Sequence, residues 1–340
     1  MSNRLDSKPQ VWKLAVDLGL SASGRPCQEI LRFVSSRIKR ISKKFNCKGL
    51  NDLLIATAAE METTLEEIHS DEDLRRIRTA YLDKGETAFG NLEAELQGAE
   101  DYGITIRRTH REPWDPLFVS VIDCRGEKVF RRYFTKWHEL AHLLTLTPQM
   151  RLVFRRSHSV SSVRDPEEIL MDVIAGEAGF HPDFLPGNLE GGISFDTILR
   201  IRDECCPDAS VQAATIGIAK ALPIPCILLE ASMALRKQES VASLQLGLGL
   251  GETLPKPALR AVHVSVSGAA RDAGICFYRN WRVPAESVIA RVFVDGGNSE
   301  ADEDLSWWTT SDGGSLNPCP VRVKAKKSWD SVQALLIPEA

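Results

Sequence analysis

Residues 137–142, WHELAH, decide the fold, because they place two histidines four positions apart around a glutamate. In a helix, positions i and i+4 lie on one face, so the imidazoles of His138 and His142 can reach a single metal ion. Glu139 follows the first histidine and could take a proton from water activated at that metal. The segment therefore predicts a helix that carries two metal ligands and a general base.

A second acidic segment, residues 165–175 (DPEEILMDVIA), supplies the rest of the predicted site. A proline followed by two acids is typical of a helix start. A catalytic zinc site usually has three protein ligands and an open fourth position, so Glu168 is the predicted third ligand. Asp172 lies one turn later on the same face, where it could accept the N–H of a ligating histidine and orient its ring.

The same residues also fit a structure that has no metal. Isolated HExxH strings occur by chance on amphipathic helices, and the acids could form the first turn of a surface helix. We favour the metal site because histidine is scarce, with seven in 340 residues, yet two of them fall at the ligand spacing.

Residues 129–142 (VFRRYFTKWHELAH) resemble the first motif of the ImmA/IrrE metallopeptidases, R-x-F-T-x-A-H-E-L-G-H. Residues 168–182 are similar to their second motif, with AGE at 175–177 in the place of A-A-E. Trp137 replaces a small residue and Ala141 replaces a glycine, and Trp137 is expected to narrow the substrate cleft. The second motif aligns only if this chain has one extra residue before Pro182, which leaves Glu167 as a weaker alternative for the third ligand.

The resemblance implies a zincin-like, mainly helical peptidase domain with a small β-sheet. It also implies zinc, with manganese as the alternative, bound by His138, His142 and Glu168, and Glu139 as the general base. The implied substrate is a helix-turn-helix transcriptional repressor, whose cleavage would release stress or mobile-element genes.

The composition is that of an ordinary soluble protein, with 43% hydrophobic and 26% charged residues. The net charge of −4 gives no general reason to expect nucleic-acid binding. The eight cysteines contain no C-x-x-C pair and are expected to be buried thiols of a reducing compartment. We find no signal sequence and no apolar run long enough for a bilayer, so we expect a cytoplasmic protein without a membrane partner.

Three helices are predicted before the metal helix, at Pro26–Phe45, at 50–61 and at Asp71–Leu82. The first has a basic face, which we interpret as solvated rather than as a nucleic-acid contact. A short strand is predicted at 103–106.

A β-hairpin is predicted from two apolar strands, 118–122 and 128–130, around the turn 123–127. We expect this hairpin to hold an extended substrate peptide beside the metal helix by strand addition. Thr135 is expected to cap that helix.

Four further side chains have no firm role. Tyr133 is one possibility for stabilising an oxyanion, although an apolar hairpin contact is the preferred interpretation. His110, His158 and His181 stay equally uncommitted.

The fold class is therefore α+β, with four predicted segments. These are a zincin-like metallopeptidase domain at 1–186, a helix-turn-helix-like helical unit at 187–235, a linker at 236–258 and a β-rich domain at 259–340. The last resembles, by its position in the chain, the GAF-like sensor domain that closes IrrE proteins. The helical unit is close to neutral, so we expect packing or partner contact there rather than DNA binding.

A strand is predicted at 223–229, and in the C-terminal segment strands are predicted at 262–266, 276–278 and 287–294, with an acidic exposed loop at 296–304. Three tryptophans, Trp281, Trp307 and Trp308, are expected in the core by default. A pocket for a small-molecule effector is the alternative.

Two functions follow from these patterns. The first is a zinc-dependent endopeptidase that cleaves a helix-turn-helix repressor. The alternative is a non-catalytic, metal-stabilised transcriptional regulator that binds DNA.

Overall fold

The computed structural model describes residues 5–21, 24–98, 101–147, 165–187, 192–236, 256–310 and 313–339. They form two compact units, Met1–Phe184 with Arg202–Gly217, and Leu185–Ile201 with Ile218–Ala340. The fold is α+β, as predicted, with a three-stranded sheet and a five-stranded sheet. The division falls inside both helices of the pair predicted at 187–235.

The first unit holds most of the helices. They are α1 (Pro9–Asp17), α2 (Pro26–Phe45), α3 (Leu50–Glu60), α4 (Asp71–Leu82), α5 (Leu92–Glu95), α6 (Arg132–Leu144) and α7 (Pro166–Gly179). Two further helices, α8 (Phe195–Cys205) and α9 (Val211–Ala221), contain the points at which the units divide. The helices predicted in the first 82 residues are confirmed, because each buries the apolar stripe that the periodicity indicated.

The small sheet consists of β1 (Thr63–Ile68), β2 (Gly103–Arg107) and β3 (Phe118–Asp123), in the order β1-β3-β2. β3 pairs in parallel with β1 and antiparallel with β2, so β3 is central and the other two are edges. All six residues of β3 are buried, as expected for a strand with neighbours on both sides.

The two faces of this sheet differ in chemistry. One face is apolar and packs on α4, α5 and the 3-10 segment Thr87–Asn91; it includes Ile104, Ile106, Val119 and Val121. Side chains alternate along a strand, so Thr105 and Ser120 point to the opposite face, where α6 lies. α6 therefore rests on the face of the sheet that carries Thr105 and Ser120.

The predicted hairpin is wrong. β3 is followed by a 3-10 helix at Gly126–Arg131, and Thr135 lies inside α6 rather than at its start. The physical reason is Asp123, which is 1% exposed and forms salt bridges at 2.9 Å with Arg125 and with Lys128. A buried carboxylate needs such cations, and the turn that supplies them leaves no second strand.

Without the hairpin, the predicted strand addition of an extended substrate peptide needs a different strand. β3 already has partners on both sides, so it cannot add a substrate strand. β2 is an edge strand that contacts α6, since a Cβ built on Gly103 would lie 2.7 Å from Thr135 Cγ2.

α6 and α7 pack against each other where a tryptophan ring of α6 lies on a glycine of α7. Trp137 is fully buried, and a Cβ built on Gly179 would lie 2.8 Å from its Cδ1 atom. Trp137 therefore does not narrow a substrate cleft, contrary to the prediction. Tyr133 is buried, and its hydroxyl donates a hydrogen bond to the carbonyl oxygen of Gly179. It tethers the same two helices and is not placed to stabilise an oxyanion.

The second unit is built on an antiparallel sheet of five strands in the order β5-β4-β8-β7-β6. The strands are β4 (Ile227–Ala234), β5 (Ala258–Val266), β6 (Asn298–Asp304), β7 (Pro320–Ser328) and β8 (Ser331–Pro338). The unit also contains helices α10 (Gly268–Asp272) and α11 (Val288–Asp295), and α11 packs on β6, β7 and β8.

Three predictions in this unit are wrong. Residues 276–278 form no strand, and the strand predicted at 287–294 is helix α11. Its valines favour a strand, but the Ser287 hydroxyl accepts the N–H of Ile289 and caps a helix. The predicted acidic loop is strand β6, where Arg322 of β7 lies 2.9 Å from Glu300 and 2.6 Å from Asp302.

Two of the three tryptophans singled out in this unit are core residues. Trp281 and Trp308 are buried, and their ring centroids lie 4.9 Å and 4.7 Å from that of Phe277. Trp307 is 45% exposed. Most of the predicted linker lies outside the described residues.

Across the part of the chain that the structure describes, no helix is both long and apolar enough to cross a bilayer.

The contact between α6 and α7 can be tested by a glycine pair in α7. We expect Gly179→Ala to destabilise the protein by about 1–3 kcal/mol, because the new methyl group would overlap the Trp137 ring. Gly176→Ala is the control, since nothing lies within 4 Å of its Cβ position and alanine favours a helix. Urea denaturation of both variants measures the change. Equal stability of the two would contradict the packing described here.

Candidate metal centre

α6 positions the two histidines of the sequence motif. The buried side of α6 consists of apolar residues such as Leu140 and Leu144, both fully buried. His138 and His142 lie beside this apolar strip, with 14% and 9% of their side chains exposed. They are therefore withdrawn from bulk water but still reachable from one side.

α7 positions the two acids, and its start is set by local sequence. Asp165 accepts the backbone N–H of Glu167 at 2.9 Å, and Pro166 occupies the first turn. Glu168 therefore lies in the first turn and Asp172 one turn later on the same face.

The three predicted ligands converge. Their donor atoms all lie within 4.8 Å of one another. His138 Nε2 is 3.2 Å from His142 Nε2 and 3.0 Å from Glu168 Oε2, and His142 Nε2 is 3.5 Å from Glu168 Oε1. In a tetrahedral zinc site with bonds of about 2.0–2.2 Å, two donors lie roughly 3.3–3.6 Å apart. The three side chains fit such an ion with one position left open.

Asp172 takes the place that the sequence predicted for it. Its Oδ1 atom is 3.0 Å from His138 Nδ1, so it can accept that N–H and leave Nε2 to face the other ligands. Burial opposes protonation of His138, but hydrogen bonds with Asp172 and Glu168 raise its pKa to about 9. The metal-free cluster therefore holds a positive charge where a cation would bind.

Glu139 does not belong to this cluster of donors. It is 1% exposed, and its Oε2 atom accepts a hydrogen bond of 2.7 Å from the Thr105 hydroxyl of β2. Its Oε1 atom would lie 3.2 Å from a Cβ at Gly103. The charge of Glu139 also helps to raise the pKa of His138, so the two are electrostatically coupled.

Sequence reasoning missed the residues that hold Glu139. Thr105 Oγ1 lies 2.8 Å from Ser120 Oγ, which lies 3.1 Å from Thr63 Oγ1. These three hydroxyls come from the three strands of the small sheet. The available signal was Ser120, a polar residue in the middle of the otherwise apolar run FVSVI.

The other candidate residues lie elsewhere. Glu167 is outside the cluster, and burial together with the charges of Asp165 and Glu168 raises its pKa. His110 contacts the Thr109 hydroxyl at 3.0 Å, and His181 accepts the N–H of Asp183 at 3.3 Å. His158 lies outside the described residues.

A second group, Glu67, His69 and Cys124, also brings its donor atoms within 4.8 Å of one another. It does not fit a metal ion, because Lys136 Nζ lies 2.5 Å from Glu67 Oε1 and already supplies a cation. Burial and the Glu67 charge raise the pKa of Cys124 to about 12, so the sulfur is held as a thiol.

Comparisons with known proteins add little. No family model and no curated protein matches the chain. Among solved structures, a Mycobacterium tuberculosis transcriptional regulator aligns with 92% of this chain and 82% of its own, at 11% identity and a TM-score of 0.35. A similarity at that level carries no argument about fold or function.

The choice of third ligand can be tested with adjacent glutamates. We expect Glu168→Gln to weaken zinc binding by more than about 100-fold, because a neutral amide replaces a ligand oxygen. Glu167→Gln is the matched control and should bind zinc as the wild type does. Competition with a chelating dye measures both affinities. Equal losses in the two variants would contradict the assignment.

Zinc binding should also depend on pH. Because His138 has a pKa of about 9 without metal, zinc must displace its proton at lower pH. We expect the apparent affinity to fall about tenfold for each unit below pH 9. Calorimetry in buffers of different ionisation enthalpy measures the released protons. An affinity that stays constant from pH 7 to pH 9 would contradict this expectation.

Proposed function

We propose that the protein is a zinc-dependent endopeptidase, with manganese as the alternative metal. One observation carries this proposal: the donor atoms of His138, His142 and Glu168 lie 3.0–3.5 Å apart, close to the roughly 3.3–3.6 Å between donors in tetrahedral coordination. The set uses three protein ligands, which leaves one position for water or substrate.

Each side chain of the site has a separate role in the proposed reaction. When bound, zinc would lower the pKa of water and polarise a peptide carbonyl. Asp172 holds the His138 ring in the orientation that presents Nε2, and Glu139 is the group that takes a proton from the attacking water. Glu168 is 36% exposed, the most open of the three ligands, so the peptide would approach from its side.

The substrate class that we propose is a helix-turn-helix transcriptional repressor in the cytoplasm. The resemblance of residues 129–142 and 168–182 to the two ImmA/IrrE motifs supports it. Cleavage of such a repressor would release the stress or mobile-element genes that it controls.

One observation favours the alternative, in which the metal is structural and the protein is a non-catalytic regulator. Glu139 is almost completely buried, whereas a general base must reach a water molecule. The helical pair does not support the DNA-binding part of this alternative. Arg202 donates to Ala209 O at 2.7 Å and to Pro207 O at 3.0 Å, and it pairs with Asp203, so it is occupied locally.

Substitution of Glu139 separates the two functions. We expect Glu139→Gln to keep the zinc content of the wild type and to reduce cleavage by about 10²–10⁴-fold, the usual contribution of a general base. The assay uses a peptide library prepared from bacterial proteins, in which mass spectrometry counts new amino termini. Glu167→Gln is again the control.

Two outcomes would overturn the endopeptidase. The first is a Glu139→Gln variant that cleaves at the wild-type rate. The second is a zinc-loaded wild type that produces no new termini from the library or from a purified helix-turn-helix repressor, which would support the structural metal instead.

A further inference from the structure

A line of buried hydroxyls crosses the small sheet and ends on Glu139. Thr63 is 6% exposed, Ser120 0% and Thr105 2%. The oxygen–oxygen distances are 3.1 Å from Thr63 to Ser120, 2.8 Å from Ser120 to Thr105 and 2.7 Å from Thr105 to Glu139. The line therefore joins all three strands to the metal helix.

The direction of these hydrogen bonds follows from proton counting. A carboxylate only accepts, so the single proton of Thr105 goes to Glu139. Ser120 must then donate to Thr105, and the Thr63 hydroxyl, which also lies 3.3 Å from the Thr64 carbonyl oxygen, faces Ser120 as a donor at 3.1 Å. Each donor strengthens the next, because polarised hydroxyls in a low-dielectric interior reinforce one another.

Burying these hydroxyls costs folding free energy, and apolar side chains would serve the sheet equally well at these positions. Neighbouring positions on β3 are valines, and a buried hydroxyl is stabilising only when it is fully hydrogen-bonded. Here the hydroxyl of Thr105 lies at one carboxylate oxygen of Glu139, and the backbone of Gly103 lies beside the other. The Thr105 hydrogen bond therefore holds one oxygen in place, and a side chain at Gly103 would crowd the other, since a Cβ there would lie 3.2 Å from Oε1.

We propose that Thr105, supported by Ser120 and Thr63, is a positioning residue that fixes the Glu139 carboxylate for proton transfer. The proposal rests on the proposed endopeptidase function. It adds that the hydroxyls of Thr105, Ser120 and Thr63 belong to the catalytic apparatus because they act through Glu139. The expected signature is a loss in turnover, with substrate binding and zinc content unchanged.

The test compares three threonine variants of the full zinc-loaded chain. Thr105→Val removes the hydroxyl and keeps the shape, so we expect kcat to fall about 10- to 100-fold with KM unchanged. Thr105→Ser keeps the hydroxyl and should restore most of kcat. Thr57→Val is the matched control, because Thr57 is fully buried in α3 and its hydroxyl has no hydrogen-bond partner among the residues that the structure describes. The substrate is the library peptide that the wild type cleaves fastest.

Each outcome decides the question. An unchanged kcat in Thr105→Val, while Glu139→Gln is inactive, would overturn the positioning role and leave the endopeptidase intact. The role would also be overturned if Thr105→Val lost zinc together with activity, or if Thr57→Val lost as much turnover. If Glu139→Gln stays active, the endopeptidase itself fails.

A second measurement needs no substrate. Urea unfolding of the metal-free protein is compared for Thr105→Val, for Glu139→Leu, which removes the acceptor, and for the double variant. We expect the two residues to be coupled by about tenfold in the unfolding equilibrium constant, as for a hydrogen bond to a charged group. Strict additivity would show that the Thr105–Glu139 hydrogen bond is not formed and would overturn the proposal.

Discussion

The close contact between α6 and α7 is the constraint on which the candidate site depends. His138 and His142 belong to one helix and Glu168 to the other, so the donors converge only if the helix axes approach closely. Trp137 and Gly179 make this possible, because a large apolar ring fills the interface and a residue without a Cβ receives it. Burial of apolar surface is the main favourable term in such packing. The site is therefore assembled by hydrophobic contact before any metal contributes.

The polar groups of the site are stable only because each has a partner. A carboxylate or imidazole with little exposure is costly unless hydrogen bonds or an opposite charge compensate for lost water. Glu139 has the Thr105 hydroxyl, and His138 has Asp172 on one nitrogen and Glu168 on the other. The arrangement places negative charge around a point that two imidazoles also face. A divalent cation is the group that would best satisfy all of them together.

The predictions from sequence that were wrong also have physical reasons. A turn that contains Asp123 and Gly126 looked like a hairpin, but the carboxylate of Asp123 is buried and recruits Lys128 into a 3-10 helix. The acidic segment at 296–304 looked like a solvated loop, but Arg322 of β7 forms ion pairs with Glu300 and Asp302, and the segment pairs with β7 as a strand. In each case a charge partner that the local sequence pattern did not identify changed the local structure.

By itself, the sequence determined the elements whose signals are local. The helices α2, α4, α6 and α7 follow from apolar periodicity, from proline and acid at a helix start, and from the i, i+4 spacing that puts two histidines on one face. It also predicted Asp172 beside a ligand, because a spacing of four residues is enough to place it there. Only the tertiary structure decided that Glu139 is buried against β2, that Trp137 packs rather than lines a cleft, and that three hydroxyls stand behind the proposed base. Those facts depend on which strands pair and which face of the sheet meets α6, and such long-range contacts have no periodic signature in a single chain.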